Sequence, residues 1–180
     1  MVRAFIAVVF GDEVIKEIAR IQEILSGHKF LGKMSELENL HVTLKFLGEI
    51  DDEKLMKVRE KLKEVKMEEF EAHLDSIGTF NYRGNPKIVW VKIAGKGMFE
   101  LQKQVDWKMR EEGFIMEERF MSHLTIARTK YTYDAKGFMK YVSGIGVRDI
   151  KFPVSKFLLL KSDLKPNGPV YNVIEEYDLS

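Results

Sequence analysis

The alternation of apolar and polar positions changes period several times along the chain. Residues 2–10 form an apolar run of strand length, and residues 12–26 carry Val14, Ile18, Ile21 and Leu25 on one helical stripe. At 41–44 the period falls to two. A second helical stripe, Leu55, Val58, Leu62 and Val65, predicts a helix over 51–66, with Asp51 or Asp52 able to cap its start. Residues 70–80 read as a strand, and Tyr82-Arg83-Gly84-Asn85-Pro86 as a turn. The later residues repeat the order. They show a strand around Lys87–Val91, a helical stripe of Met98, Leu101, Val105 and Met109, and alternation at 123–126. A short helical stretch at Asp134–Tyr141, a strand-like segment over 152–162 and a last strand from Val170 to Tyr177 complete the series.

The two alternating segments are the same pattern. His41-Val42-Thr43-Leu44 recurs as His123-Leu124-Thr125-Ile126, at an offset of 82 residues (123 minus 41). That offset also carries the first strand onto the strand near 84–92, and the first helix onto the one near 97–111. Each half therefore reads strand, helix, His-x-Thr strand, helix, strand. The arrangement predicts an α+β protein of two pseudo-symmetric lobes, with repeats of about 1–83 and 84–180 forming a single domain. Each lobe would offer one His-x-Thr strand to a shared cleft, with helices on the outer faces of the sheets. A parallel α/β sheet ranks second, because helices lie between the strands.

In a strand, side chains at i and i+2 share a face. His41 and Thr43 point one way and Val42 and Leu44 the other, and the second motif behaves alike. By the same parity Lys45 joins His41, while Arg128 falls opposite His123 unless the strand bends. With four His and five Thr in the chain, two coincidences of this spacing are improbable as accidents, although a single one would be unremarkable. One imidazole can take a proton while the other gives one, and hydroxyls can hold phosphate oxygens. Neither motif has an Asp or Glu at its alternating positions, which disfavours a metal centre. A Ser-His-Asp arrangement is equally unattractive, since Ser122 and His123 are adjacent and face opposite sides. Gly95-Lys96-Gly97 lacks the flanking residues of a phosphate-binding loop.

Composition narrows the field further. The 180 residues are 45% hydrophobic with a net charge of +1, so the chain can bury a core and no global field drives it onto nucleic acid or membrane. There is no Cys, which removes disulfides and thiolate chemistry and fits a reducing cytoplasmic location. No apolar run approaches the roughly 20 residues of a membrane span, and the run at 2–10 reads as a strand rather than a secretory signal. Nothing demands a dimer, so a monomer is expected.

The segments His41-Val42-Thr43-Leu44-Lys45-Phe46-Leu47-Gly48 and His123-Leu124-Thr125-Ile126-Ala127-Arg128 resemble the paired motifs of the 2H phosphoesterases. Within that superfamily the chain is similar to the RNA 2′,3′-cyclic phosphodiesterases, also called 2′-5′ RNA ligases. Arg3-Ala4-Phe5-Ile6-Ala7, Gly78-Thr79-Phe80, Trp90 and Gly168-Pro169-Val170-Tyr171 extend the likeness over nearly the whole chain. The resemblance implies a bilobal fold with antiparallel sheets lining a central cleft. It implies hydrolysis of 2′,3′-cyclic phosphate RNA ends, tRNA fragments being one candidate, to 2′-phosphomonoesters without metal or nucleotide cofactor. His41 would be the general acid at the departing 3′ oxygen and His123 the general base. Thr43, Thr125 and Arg128 would bind the phosphate. Lys87 stands where the family often has Arg, which keeps the charge and loses the bidentate fork. ATP-independent 2′-5′ joining of RNA ends and non-catalytic binding of such ends are the alternatives. Lys45 and Arg3 are open between a phosphate-facing and a solvated role. Tyr171 and Phe80 are read as packing rather than base-stacking residues, and His28 and His73 as surface or loop residues.

Overall fold

Nine strands, four helices and one 3₁₀ turn follow in the order β1 (Val2–Val9), α1 (Asp12–Ser26), β2 (Phe30–Met34), the 3₁₀ turn (Leu37–Asn39), β3 (His41–Ile50), α2 (Asp52–Leu62), β4 (Phe70–Tyr82), β5 (Asn85–Ala94), α3 (Lys96–Glu111), β6 (His123–Thr132), α4 (Ala135–Ser143), β7 (Lys151–Val154), β8 (Lys156–Lys165) and β9 (Gly168–Asp178). The computed structural model describes residues 1–180. The strands form two sheets, ordered β3-β1-β8-β9 and β2-β6-β5-β4-β7. Every ladder is antiparallel, so the fold is α+β and not a parallel α/β sheet.

The boundary between the sequence halves is not a boundary between sheets. Residues 83 and 84 form the tip of the β4–β5 hairpin inside the second sheet. β4 comes from the first half and pairs with β5, whereas β8 comes from the second half and pairs with β1. The helices cross over as well. In α1, Gln22 bonds to the carbonyl of Ile126 on β6. In α3, Asp106 pairs with Lys45 on β3. Sequence order preserves the repeat but is silent on this exchange, because it is decided by long-range pairing.

One apolar core runs through both sheets and the helices, from Ala4, Ile6 and Val8 of β1 to Leu101, Val105 and Met109 of α3 and Phe138 of α4. The expected strand over 152–162 is in fact two, broken at Ser155, and its parts lie in different sheets. Phe157-Leu158-Leu159-Leu160 is continuously apolar because both faces of β8 are covered. Phe157 and Leu159 join the main core, while Leu158 and Leu160 join a second cluster with Phe5 and Ala7. The helix expected over 51–66 ends at Leu62, with Asp51 as its cap accepting from the Lys54 amide. β2 escaped the sequence reading. It is a five-residue edge strand with no alternation, and a Cβ at its Gly32 would collide with the Arg128 carbonyl oxygen, so only glycine allows the close approach.

Candidate active site

β3 and β6 lie beside each other without being hydrogen-bonded partners, and they present the same order of buried and exposed positions over all ten residues. His41 and His123 stand at their first positions, half-buried. The Nδ1 of His41 lies 2.7 Å from the carbonyl of Asn39, and that of His123 lies 2.8 Å from the carbonyl of Met121. A carbonyl only accepts, so each Nδ1 carries a proton and donates it. Each Nε2 is thereby left as the nitrogen that exchanges protons.

Each motif ends in a bulge. On β3 the register passes from Thr43 opposite Ala7 to Lys45 opposite Ile6, leaving Leu44 unpaired. On β6 it passes from Thr125 opposite Trp90 to Ala127 opposite Val89, leaving Ile126 unpaired. Two consecutive side chains therefore point into the core on each strand, and the next one returns to the outer face. This brings Arg128 onto the face of His123 and Thr125, against strict parity. It removes Lys45 from the face of His41. Lys45 is 3% exposed and bonds to Asp106 at 2.6 Å, so its phosphate-facing option is overturned. Phe46, 67% exposed, occupies on β3 the place that Arg128 holds on β6.

Both bulges are held from behind by a polar group on a helix. Asp106 of α3 takes Lys45, and its other oxygen accepts the Glu117 amide at 2.8 Å. Gln22 of α1 donates to the carbonyls of Ile126 at 2.9 Å and Ser35 at 2.8 Å, while the Ser35 hydroxyl donates to the Thr125 carbonyl. Replacing Gln22 by Leu takes the side-chain donor from the Ser35 carbonyl and leaves the Ile126 carbonyl with the Ser35 amide alone, at a cost of about 1–3 kcal/mol. The expected kinetic signature is a raised KM with an intact Arg128 and no further rise in an Arg128→Ala background. Additive effects in that double-mutant cycle would dissociate Gln22 from the placement of Arg128.

Aromatic rings wall the two histidines. Phe5 lies 5.0 Å and Tyr171 5.2 Å from the His41 ring, and Phe80 packs edge-on to His123 at 4.9 Å. Phe80 and Tyr171 are therefore packing residues of the site. Phe80 leans on Trp90 at 5.6 Å, and a Cβ at Gly78 would meet the Trp90 indole at 2.5 Å, so the flat glycine makes room for that ring. Burial lowers the pKa of His41, the Asn39 carbonyl works against this, and the charges of Arg128 and His123 lower it further. Burial raises the Tyr171 phenol, while the charges of Arg128 and Arg3 work against this and that of Glu36 adds to it. Of the remaining histidines, His73 lies half-buried within β4 and is not a loop residue. His28 packs against Phe138 and Tyr141, where it is partly buried. The positioning residues Asn39, Ser35 and Gln22 carry no motif signal. Phe5 was legible only as part of the segment Arg3-Ala4-Phe5-Ile6-Ala7 that extends the resemblance.

A family model described as LigT like phosphoesterase matches residues 9–90 and again residues 92–171. The chain is 34% identical to the RNA 2′,3′-cyclic phosphodiesterase of Methanocaldococcus jannaschii over 177 residues, covering 97% of this chain and 99% of that one. It is 33% identical to the protein of the same name from Archaeoglobus fulgidus, covering 98% and 99% of the two chains. Among solved structures, TT0787 of Thermus thermophilus superimposes with a TM-score of 0.85 at 27% identity, over 98% of this chain and 97% of that one. E. coli LigT complexed with 3′-AMP shares the fold, with a TM-score of 0.77 at 20% identity over 99% and 98% of the two chains.

Proposed function

This chain belongs to the LigT-like phosphoesterase family, and on that premise we propose that it hydrolyses 2′,3′-cyclic phosphodiester ends of RNA to 2′-phosphomonoesters by metal-free acid–base catalysis. The observation that carries the reading is the matched pair of imidazoles, each held by a backbone carbonyl at Nδ1. The names of the relatives support the substrate class. The donor set supports the metal-free step, since no group of three or more His, Cys, Asp or Glu side chains is placed to hold an ion.

His123 Nε2 takes a proton from water as the water oxygen attacks phosphorus. The bond from phosphorus to the 3′ oxygen breaks, and His41 Nε2 delivers its proton to that oxygen. The 2′ ester bond survives, giving a 2′-phosphate and a free 3′-hydroxyl. Thr43, Thr125 and Arg128 donate to the non-bridging oxygens, where charge accumulates. Incubation of the protein in EDTA with a short RNA ending in a 2′,3′-cyclic phosphate, followed by identification of the product end, tests this directly. A 2′-phosphate end is expected, whereas a 3′-phosphate end or EDTA-sensitive turnover would overturn it. A 2′-5′ joined product, formed when a ribose 5′-hydroxyl replaces the attacking water, would assign the same site to ligation.

The depressed pKa of His41 has a mechanistic consequence. An acid must hold a proton, yet burial and neighbouring positive charge disfavour the imidazolium in the free protein. A phosphodiester anion in the cleft reverses the sign, because an adjacent negative charge stabilises the charged ring. Substrate and proton therefore arrive together. By NMR titration, His41 is expected to titrate below the ordinary value of about 6.5 in the free protein. It should move upward with a bound phosphate monoester, and upward also in Arg128→Ala without ligand. A His41 value insensitive to both would remove the electrostatic link.

No helix is long and apolar enough to cross a membrane.

A further inference from the structure

We infer that the single-stranded RNA preceding the cyclic phosphate leaves the cleft along the β2–β6 edge of the second sheet, with bases stacked on Tyr131 and Tyr133; this rests on the hydrolase reading above. The face of β6 that carries His123, Thr125 and Arg128 does not end at the arginine. Lys33 sits opposite Arg128 and Leu31 opposite Tyr131 in the ladder, while Phe30 and Thr132 turn to the core side. A second register shift leaves Lys130 unpaired and keeps Tyr131 on the outer face. Tyr131 is 56% and Tyr133 55% exposed, with ring centroids 5.2 Å apart in an edge-to-face pair, and Leu31 lies exposed beside them. The Lys29 ammonium stands 5.0 Å from the centre of the Tyr133 ring. Lys87 donates to the Lys130 carbonyl, and no carboxylate pairs with Lys29, Lys87 or Lys130.

Lys33 itself pairs with Glu36 at 2.7 Å, but exposed rings among lysines that no carboxylate engages, Lys29, Lys87 and Lys130, continuous with a phosphate site, form the surface that holds single-stranded nucleic acid without reading its sequence. Strand rise puts Tyr131 about 10 Å beyond Arg128, within reach of nucleotides next to the reacting one. The repeat supplies an internal control. The equivalent stretch of β3 beyond Phe46 carries Gly48 and Glu49, followed by Asp51, whose carboxylate caps α2. That strip carries carboxylates, with Arg3 opposite Glu49 in the ladder, and beyond Phe46 it offers no exposed ring on which a base could stack. The molecule is pseudo-symmetric at the histidines and asymmetric beyond them, which gives the RNA one exit.

The test compares 2′,3′-cyclic AMP with a hexaribonucleotide ending in the same cyclic nucleotide, in wild-type protein and in Tyr131→Ala/Tyr133→Ala. Wild type is expected to favour the hexamer in kcat/KM. The variant should lose about tenfold or more on the hexamer while its activity on cyclic AMP stays unchanged, and Tyr131→Phe/Tyr133→Phe should behave as wild type. Equal loss on both substrates, or no loss on the hexamer, overturns the track. Fluorescence anisotropy with a labelled hexamer ending in 2′-phosphate reads the same surface without turnover. If wild type hydrolyses neither substrate, the hydrolase reading fails, and the track then stands or falls on whether the Ala variant binds that hexamer at least tenfold more weakly.

Discussion

Alanine at His41, and separately at His123, is expected to lower kcat on a cyclic-phosphate RNA end by about 10²–10⁴-fold in a protein that remains folded. Both rings are half-buried at the cleft and lie outside the main core, so their loss removes chemistry before stability. The two act in one step, and the double variant should be little worse than either single one. The roles separate with the leaving group. A phosphodiester with an activated aryl leaving group needs little protonation, so it should rescue His41→Ala and leave His123→Ala inactive. Losses below tenfold in both variants would end the two-histidine mechanism, and rescue of the wrong variant would exchange the roles.

The second large effect falls on stability. The side chains of Lys45 and Asp106 are each 3% exposed and meet at 2.6 Å. Lys45 also donates to the carbonyl of Ile115, and Asp106 accepts from the amide of Glu117. Asp106→Ala leaves the buried ammonium with only the more distant Glu117 carboxylate at 3.8 Å and strips the Glu117 amide of its acceptor, and the expected cost is about 3 kcal/mol, read by denaturant unfolding. Lys45→Met/Asp106→Leu removes both charges and should be milder than Asp106→Ala alone. A loss below about 1 kcal/mol for Asp106→Ala would show the surrounding loop relaxing to admit water. Because that loop leads to Ser122 and His123, the pair also couples the first histidine strand to the approach of the second.

The legible part of this chain was whatever obeys local periodicity. Helices α1 and α3 were readable because their apolar residues recur at helical spacing, and the histidines because strand parity places each with its threonine. Parity failed four residues beyond His41, at Lys45, and five beyond His123, at Arg128. A bulge inserts one residue into the count and leaves no trace in the composition of Leu44-Lys45 or Ile126-Ala127. β2 failed for another reason, since an edge strand paired on one side needs little alternation. The joining of β8 to β1 was beyond reach, because nothing local distinguishes partners that lie far apart in the chain, whereas the β4–β5 hairpin closes at the turn legible over residues 82–86.

The exchange of strands between the halves also sets the order in which the molecule can be made. β1 needs β8 as a neighbour, and β8 needs β9, so residues near position 5 wait for residues near position 160. Such pairing gives a high contact order and slow folding. During synthesis the first 83 residues can form helix α1 and the β1–β3 ladder, yet β1 and β4 each keep an unsatisfied edge, open to wrong partners. Both halves of the cleft then close late and together, so a nascent chain carries no half-assembled catalyst.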